Sequence, residues 1–417
     1  MKVIQGSLKQ PGSVVSEGRR LYDAGKFSES ASFFIERIQR SKAAGTLPSA
    51  ADLNHAGRAY LAMGDFHSAI SFFRKGYELY PDIVSFSTNL ALASLRTGRY
   101  REAAGLFDGL TRNPDGSENS NAYDGLAECR FLLGDSEGAK TAGVRSLTIK
   151  DRTSCSADNP FFQQLKAESR TILKRSVPDF QNSKSSRNII AYSLWGNKTR
   201  YVDGAVFNAR VARVVYPAWT CRFYCDGSVP ETVLEELRRN GAQIVMMPAM
   251  RQVYHGLFWR FQVVSDPSVD RFLIRDADSP LTCQERVAVD EWIESGKLFH
   301  LMRDWYSHSE LILAGMWGGV GGVLPDLQPM VDMFYNKAQK ERTIDQQFLR
   351  WCIWPLIREE HLAHDEYFRF GNAVPFPRLG RNPSDMPVAL TWMDPAACAL
   401  SISGEKRQRL RVVSSIV

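Results

Sequence analysis

Asp276 and Asp278 stand one residue apart where the apolar run of Phe272-Leu-Ile-Arg-Asp-Ala-Asp-Ser279 stops. On an extended strand, residues i and i+2 share a face, so two such carboxylates can converge on one divalent cation at the mouth of a sheet. Hard cations such as Mg²⁺ take oxygen ligands and keep positions open for substrate phosphates, and Mn²⁺ behaves similarly. A solvated turn behind a buried strand has the same pattern, so the surrounding segments must decide between the two.

The chain has 417 residues, long enough for two domains. Its composition is ordinary for a globular protein, and a formal charge of +6 is spread among acids rather than gathered in a patch, so nucleic acid is not demanded as a partner. The basic stretch Glu405–Arg411 reads as a solvated terminus or as a contact for an anionic lipid or polymer. Met1–Gly18 has no apolar core of the kind a secretory signal needs, and the longest apolar run, Leu311–Leu324, is short and rich in glycine, so no transmembrane segment is expected. Seven dispersed cysteines, with Cys221 and Cys225 on one strand but no Cys-x-x-Cys, predict buried free thiols. Together these features predict a soluble cytoplasmic protein.

Residues 1–150 are periodic. Ala56-Gly57-x-x-Tyr60, Gly64, Ala69, Phe73 and Pro81 recur 34 residues on as Leu90-Ala91, Gly98, Ala103 and Phe107, with Pro114 one residue early. Gly18, Leu21, Gly25 and Phe34 form a weaker copy upstream; Ala127, Gly134 and Ala139 form a degenerate one downstream. Small residues let antiparallel helices approach, a glycine turns the chain between them, and an aromatic fills the gap. The pattern resembles the tetratricopeptide repeat, which implies an α-helical solenoid over about residues 14–150 with a groove for a protein or peptide; bracing of the rest of the chain is the alternative role. His55 and His67 are expected on the surface of these repeats.

Residues 151–187 read as a helix (Asn159 to Arg175) and a linker, because Ser176-Val-Pro and Gln181-Asn-Ser-Lys-Ser-Ser-Arg187 carry breakers and polar residues. Few contacts should cross that linker, so the domain after it is expected to fold alone once cut there. Residues 188–380 alternate strand and helix, with strands at Asn188–Ser193, Trp219–Cys225, Gln243–Met247 and Phe272–Ile274 and helices over Tyr201–Val215 and Pro230–Arg239. That alternation predicts an α/β domain with a largely parallel sheet and a ligand site at the carboxyl ends of its strands. Neither Gly-x-Gly-x-x-Gly after the first strand nor a Gly-x-x-x-x-Gly-Lys-Ser/Thr loop occurs. Gly315–Gly322 has no phosphate-loop spacing and suits close backbone approach or a flexible turn. Residues 381–417 are a basic extension.

The series Asp276-Ala-Asp278, Phe299-His-Leu-Met-Arg-Asp304, Leu313-Ala-Gly-Met-Trp-Gly318, Ile344-Asp-Gln-Gln-Phe348 and His361-x-x-His364-Asp-Glu resembles, in order and spacing, GT-A nucleotide-sugar glycosyltransferases of the glycogenin-like type. The likeness runs from about Asn188 to Pro377 and implies a Rossmann-like mixed β-sheet. It implies Asp278 as a ligand of Mn²⁺ or Mg²⁺, Asp276 on the metal or the donor ribose, and His364, with His361 as rival, completing the metal site. It further implies Asp345 and Gln346 beside the anomeric carbon and Asp304 and Gly315 flanking the sugar. Leu313-Ala314 stands where the family has Asn-Ser before that glycine.

Tyr192, Leu194 and Arg200, around the opening Tyr192-Ser-Leu-Trp-Gly196, complete the expected donor-binding set with Arg260, Arg275, Asp276 and Gly315. Transfer from a nucleotide sugar must stabilise a departing diphosphate, to which Arg260 and Arg275 can add charge or in which they are only structural ion-pair partners. Asp304 and Asp345 are candidates for a base or for stabilising an oxocarbenium-like centre; helix capping, or pairing with Arg303 or Arg342, is the alternative. His300 and His308 suit packing or substrate contact, and Trp305, Tyr306 and Trp317 suit sugar stacking or the core. The expected activity is transfer of sugar from a nucleotide-sugar donor to a protein or polysaccharide acceptor recruited by the repeats. The alternative is an inactive repeat scaffold with a sugar-nucleotide-binding domain. A phosphohydrolase of the Asp-x-Asp-x-Thr/Val type is disfavoured, because Pro280 occupies the Thr/Val position.

Overall fold

The computed structural model describes residues 16–113, 116–157, 159–161, 179–180, 185–249, 254–338 and 342–378. The chain divides into two compact units, Met1–Ile149 and Lys150–Val417. Among the described residues no helix is long and apolar enough to cross a membrane.

The first unit is built from helix pairs: α1 (Glu17–Asp23) with α2 (Phe27–Ala43), α3 (Ala50–Met63) with α4 (Phe66–Leu79), α5 (Val84–Arg96) with α6 (Tyr100–Gly109), and α7 (Ser120–Leu132) with α8 (Ser136–Ser154), whose residues from Lys150 on belong to the second unit. Gly25, Gly64, Gly98 and Gly134 make the turn within each pair with φ of +77°, +79°, +78° and +86°, a region that L side chains rarely adopt. The small residues at the crossings have a specific reason. A Cβ at Gly57 would stand 2.5 Å from the Phe73 ring, and one at Gly125 would stand 2.4 Å from Phe107. His55 is not a free surface residue: its ring stacks on buried Phe34 at 4.9 Å, and burial lowers its pKa.

The second unit carries a seven-stranded mixed sheet of order β3-β2-β1-β4-β6-β5-β7. Its strands are β1 (Asn188–Leu194), β2 (Thr220–Cys225), β3 (Gln243–Met246), β4 (Arg271–Arg275), β5 (Phe299–Arg303), β6 (Met316–Val320) and β7 (His361–Asp365). β1 is parallel to β2 and β4, β2 to β3, and β5 to β7; β6 alone runs against its neighbours β4 and β5. Gly318 and Gly319 thus lie in a central strand, while Gly315, Gly321 and Gly322 fall in turns at its two ends. A Cβ at Gly318 would meet the Phe272 carbonyl at 2.6 Å, and one at Gly319 would meet the Phe299 ring at 2.6 Å.

Strand alternation divides the side chains between two layers. Tyr192, Arg275 and His300 face α9 (Thr199–Val215) and α11 (Cys283–Ser295), where Trp292 stacks on His300 at 5.6 Å. Ser193, Ile274 and Trp317 face a 3₁₀ stretch, His255–Ser265, where Phe261 meets Trp317 at 5.9 Å. The remaining helices are α10 (Glu231–Arg239), α12 (Leu327–Lys337), α13 (Ile344–Phe348) and α14 (Trp354–Ile357), with a π-helical turn at Leu349–Ile353 before Pro355.

The expected helix over Asn159–Arg175 and the linker near 176–187 fall mostly outside the described residues. The second unit nevertheless begins earlier than that linker. The buried Lys150 ammonium donates to the Ser309 carbonyl at 2.6 Å and pairs with Glu310 at 3.4 Å, while Asp151 accepts from Trp354 and Arg358. A cut at 176 would therefore remove parts of this unit's interior. Burial alone would raise the Glu310 pKa, but Arg350 and Lys150 outweigh it and hold the carboxyl down to about 2. A carboxylate with a depressed folded pKa stabilises the fold above its ordinary pKa and loses that contribution as pH falls through the folded value. Lys150→Met should cost the second unit about 3 kcal/mol, because it strips one partner from a buried charge. Urea unfolding at neutral pH checks this, and the difference from the unsubstituted protein should shrink as pH falls from 4.5 towards 2.

Candidate active site

The connections out of the sheet reverse between β1 and β4: the chain leaves β1 for β2 and β3 on one side and returns to β4 on the other. Such a reversal opens a crevice at the carboxyl ends of the two strands. Asp276 is the first residue beyond β4. It caps a turn, with the Ser279 N–H donating to its carbonyl at 3.1 Å.

Around this turn the structure is close-fitted. The buried Arg260 guanidinium donates from Nη1 to Asp276 Oδ1 at 2.5 Å and to the Arg275 carbonyl at 2.9 Å, and from Nη2 to Asp345 Oδ2 at 3.0 Å. Its own backbone N–H donates to Ser193 Oγ on β1 at 3.0 Å. Gly315 presses its backbone against the same carboxylate: a Cβ there would lie 2.2 Å from Asp276 Oδ2. On the other side, a Cβ at Gly204 of α9 would lie 2.3 Å from the Ala277 carbonyl. Asn208 of the same helix donates to the Ala277 and Ser279 carbonyls at 3.2 and 3.0 Å and accepts from the Leu281 N–H at 2.9 Å.

Gly204 and Asn208 were not among the residues expected at the site. The signal was present, since Asn208 is a polar residue on a helix face otherwise made by Val202, Ala205, Ala209 and Ala212, and a buried amide of that kind must have partners.

Asp345 is brought into this group from α13. It is 3% exposed, and burial pushes its carboxyl up to about 6; Arg260 opposes that shift and Asp276 adds to it. The Gln346 N–H donates to Asp345 Oδ1 at 3.0 Å. Asp278 is held by Arg200, whose Nη2 lies 2.5 Å from Oδ2. Asp304 follows β5 and pairs with His308, Nδ1 to Oδ1 at 2.7 Å, rather than with Arg303, which is buried against Asp365 at 2.9 Å.

Several expected site residues lie elsewhere. Alternation on β7 turns His364 to the α11 face, away from the Arg260 face that Asp276 joins; its Nδ1 meets His300 Nε2 at 2.8 Å and its Nε2 meets Glu291 at 2.9 Å, so both ring nitrogens are engaged. His361 stands at the opposite end of the strand, bonded to the Ile357 carbonyl at 3.3 Å, and burial lowers its pKa to about 4. Tyr192 is fully buried and stacked on Phe223 at 4.6 Å, and Leu194 is 1% exposed; both are core rather than donor contacts. Arg275 is buried on the α11 face, donating to the Ile274 and Trp317 carbonyls at 2.8 and 3.2 Å, which is the structural role. Trp317 is also core, while Trp305 and Tyr306 stay beside Asp304.

Among the described residues no group of three or more His, Cys, Asp or Glu gathers as a metal cage. Both aspartates lie beyond the end of β4, Asp276 paired with Arg260 and Asp278 with Arg200. The bare Gly315 backbone beside Asp276 keeps the approach to that carboxylate free of side chain.

Residues 55–118 match the family model described as the tetratricopeptide repeat. The first unit thus contains tetratricopeptide repeats over residues 55–118. Among solved structures, the chain is similar to "MamA 41-end from Desulfovibrio magneticus RS-1", with 16% identity over 36% of this chain and 85% of that one and a TM-score of 0.28. A Podosopora anserina putative kinesin light chain with nearly identical TPR-like repeats gives 18% identity over 37% and 81%, with a TM-score of 0.29. No curated protein matches the sequence.

Gly315→Ala places a methyl group against a carboxylate that Arg260 already holds, so Asp276 must rotate while the β4–β6 pairing persists. The variant should stay folded and lose most of any cation-dependent ligand binding, read by calorimetry. Arg260→Met should instead destabilise the second unit by about 3–5 kcal/mol, since it strands the buried Asp345 carboxylate; chemical denaturation measures it.

Proposed function

We propose that the second unit is a glycosyltransferase of the GT-A type that uses a nucleotide-sugar donor, and that the tetratricopeptide repeats recruit its protein or polysaccharide acceptor. One observation carries the reading: Asp276-Ala-Asp278 lies at the carboxyl end of β4, beside the reversal of the sheet, with Asp345 tied to Asp276 through Arg260. The mixed sheet supports it, because the sequence resemblance implies a sheet of that kind.

In this reading Asp276 and Asp278 would hold Mg²⁺ or Mn²⁺, which would stabilise the leaving diphosphate as charge develops on it. Arg200, exposed and already against Asp278, can swing to the phosphates. Arg260 fixes the angle of Asp276 and ties it to the buried Asp345, which the resemblance puts beside the sugar. Gly315 leaves room for the donor. His364 has no part in the metal site.

The inactive-scaffold reading draws on a different feature. Both aspartates are already ion-paired with arginines, as they would be in a domain that binds without turning over.

A ligand that binds only the folded form raises the melting temperature. A thermal-shift panel of UDP-glucose, UDP-galactose, UDP-N-acetylglucosamine and GDP-mannose should show a shift that requires Mn²⁺. Asp278→Ala should abolish that shift without lowering the melting temperature of the free protein by more than a few degrees, and His364→Gln should keep it. A shift of equal size in Asp278→Ala would remove the metal assignment. Donor binding without release of nucleoside diphosphate under any acceptor condition would favour the scaffold.

A further inference from the structure

The first helices of successive pairs lie closer to one another, α3 against α5 and α5 against α7, than do the second helices α2, α4 and α6. The row α1, α3, α5, α7 is therefore the inner, concave side of the repeats. One stripe of side chains runs along it. Arg19, Arg58, Leu92 and Glu128 each stand six residues before the turn glycine of their own pair, Gly25, Gly64, Gly98 and Gly134, so they come level with one another on neighbouring helices. Contacts between the helices fix where the stripe points. The Arg58 guanidinium lies over the Tyr22 ring of α1 at 5.0 Å. The side-chain amide of Asn89, one turn before Leu92, donates to that of Asn54, one turn before Arg58, at 2.9 Å.

Charged side chains elsewhere on these helices find partners, as Arg37 does in Asp52 at 2.9 Å and Arg74 in Glu102 at 2.5 Å. On the stripe, Arg58 and Glu128 are half-buried, and neither makes a hydrogen bond or ion pair among the described residues. Burial raises the Glu128 carboxyl above its ordinary pKa, with Arg96 opposing that shift and Asp124 adding to it. Leu92, between the two charges, is a large apolar side chain left 38% exposed. A charge that has lost part of its water without gaining a partner is stabilised by a ligand of opposite sign.

We propose that this stripe binds a protein segment in the polyproline II conformation that carries an acidic, an apolar and a basic side chain at three-residue spacing, placed at Arg58, Leu92 and Glu128 in that order. It rests on the reading that the repeats recruit the acceptor, and it makes that acceptor a protein. The spacing follows from two repeats that match. Axes of packed helices lie about 8–10 Å apart. A polyproline II chain has three residues per turn and advances about 9 Å in that turn, so every third side chain faces the same way and meets the next helix of the row. A polysaccharide of uronic acids would satisfy Arg58 but would bring like charge to Glu128.

Fluorescence anisotropy of labelled nine-residue peptides, titrated with the full-length protein, tests this. The peptides hold glutamate, leucine and lysine three residues apart in a serine and proline background, in both chain directions. One direction should bind about tenfold tighter than the same residues rearranged to two- and four-residue spacing. Glu128→Lys should lose that peptide and gain, by a similar factor, the one with glutamate in place of lysine. Arg58→Glu should gain the one with lysine in place of glutamate. An exchange of preference cannot come from a variant that fails to fold. Equal affinity for the rearranged peptides, no binding up to about 1 mM, or variants that lose every peptide without exchanging preference would overturn the stripe alone, since the Mn²⁺-dependent thermal shift tests the transferase reading separately. Binding of polygalacturonate in place of the peptides would overturn it in favour of a carbohydrate. A peptide bound as expected that receives no sugar from any of the four donors would uphold the stripe and overturn the acceptor reading.

Discussion

One buried guanidinium orders the candidate site. Arg260 is 4% exposed, comes from the 3₁₀ stretch beneath the sheet, and connects β1 through Ser193, β4 through the Arg275 carbonyl and Asp276, and α13 through Asp345. A desolvated cation must be paired and hydrogen-bonded, or the fold bears its full desolvation cost. Two carboxylates from distant parts of the chain meet that need, so the charge fixes the relative position of groups 69 residues apart, Asp276 and Asp345. Planar, divergent donors suit arginine to this role better than lysine.

Backbone packing positions the other half of the turn. Asn208 and Gly204 clamp the Ala277 carbonyl from α9, and the capping box of Thr282 and Glu285 starts α11 immediately afterwards. The turn bearing both aspartates is thereby held at its start by a guanidinium, at its middle by a helix surface and at its end by a cap. A metal or phosphate site gains from such support, because ligand geometry loosened by even an ångström forfeits much of its effect.

The early strands and helices of the second unit were legible because each keeps one hydrophobic period, as in Asn188–Leu194 and Thr199–Val215. β6 was not, since Met316-Trp-Gly-Gly-Val320 reads as a loop until the neighbouring backbone is known to need the missing side chains. The repeat turns were legible from Gly64 and Gly98, where the requirement is local. The place of His364 was not: order along the chain says which strand carries it, but the face it points to depends on pairing register, and one residue of alternation sends it to His300 and Glu291. Asp276 and Asp345 meet through Arg260, while Tyr192 and Arg275 show the limit of that kind of inference, for a polar residue at a strand end can face either layer.

Charge bears on which ligand this edge can take. Asp276, Asp278, Asp304 and Asp345 face two guanidiniums, Arg200 and Arg260, and one imidazole, His308. Burial raises the Asp345 pKa to about 6, and the neighbouring Asp276 carboxylate adds to that rise while Arg260 opposes it. A bare diphosphate would add like charge at a partly desolvated edge, where repulsion between unit charges a few ångströms apart is on the order of kcal/mol rather than tenths. In the transferase reading, a divalent cation brought in with it would offset that repulsion and free Arg200 from Asp278 to meet phosphate. In the transferase reading, the donor would therefore bind together with its cation rather than ahead of it.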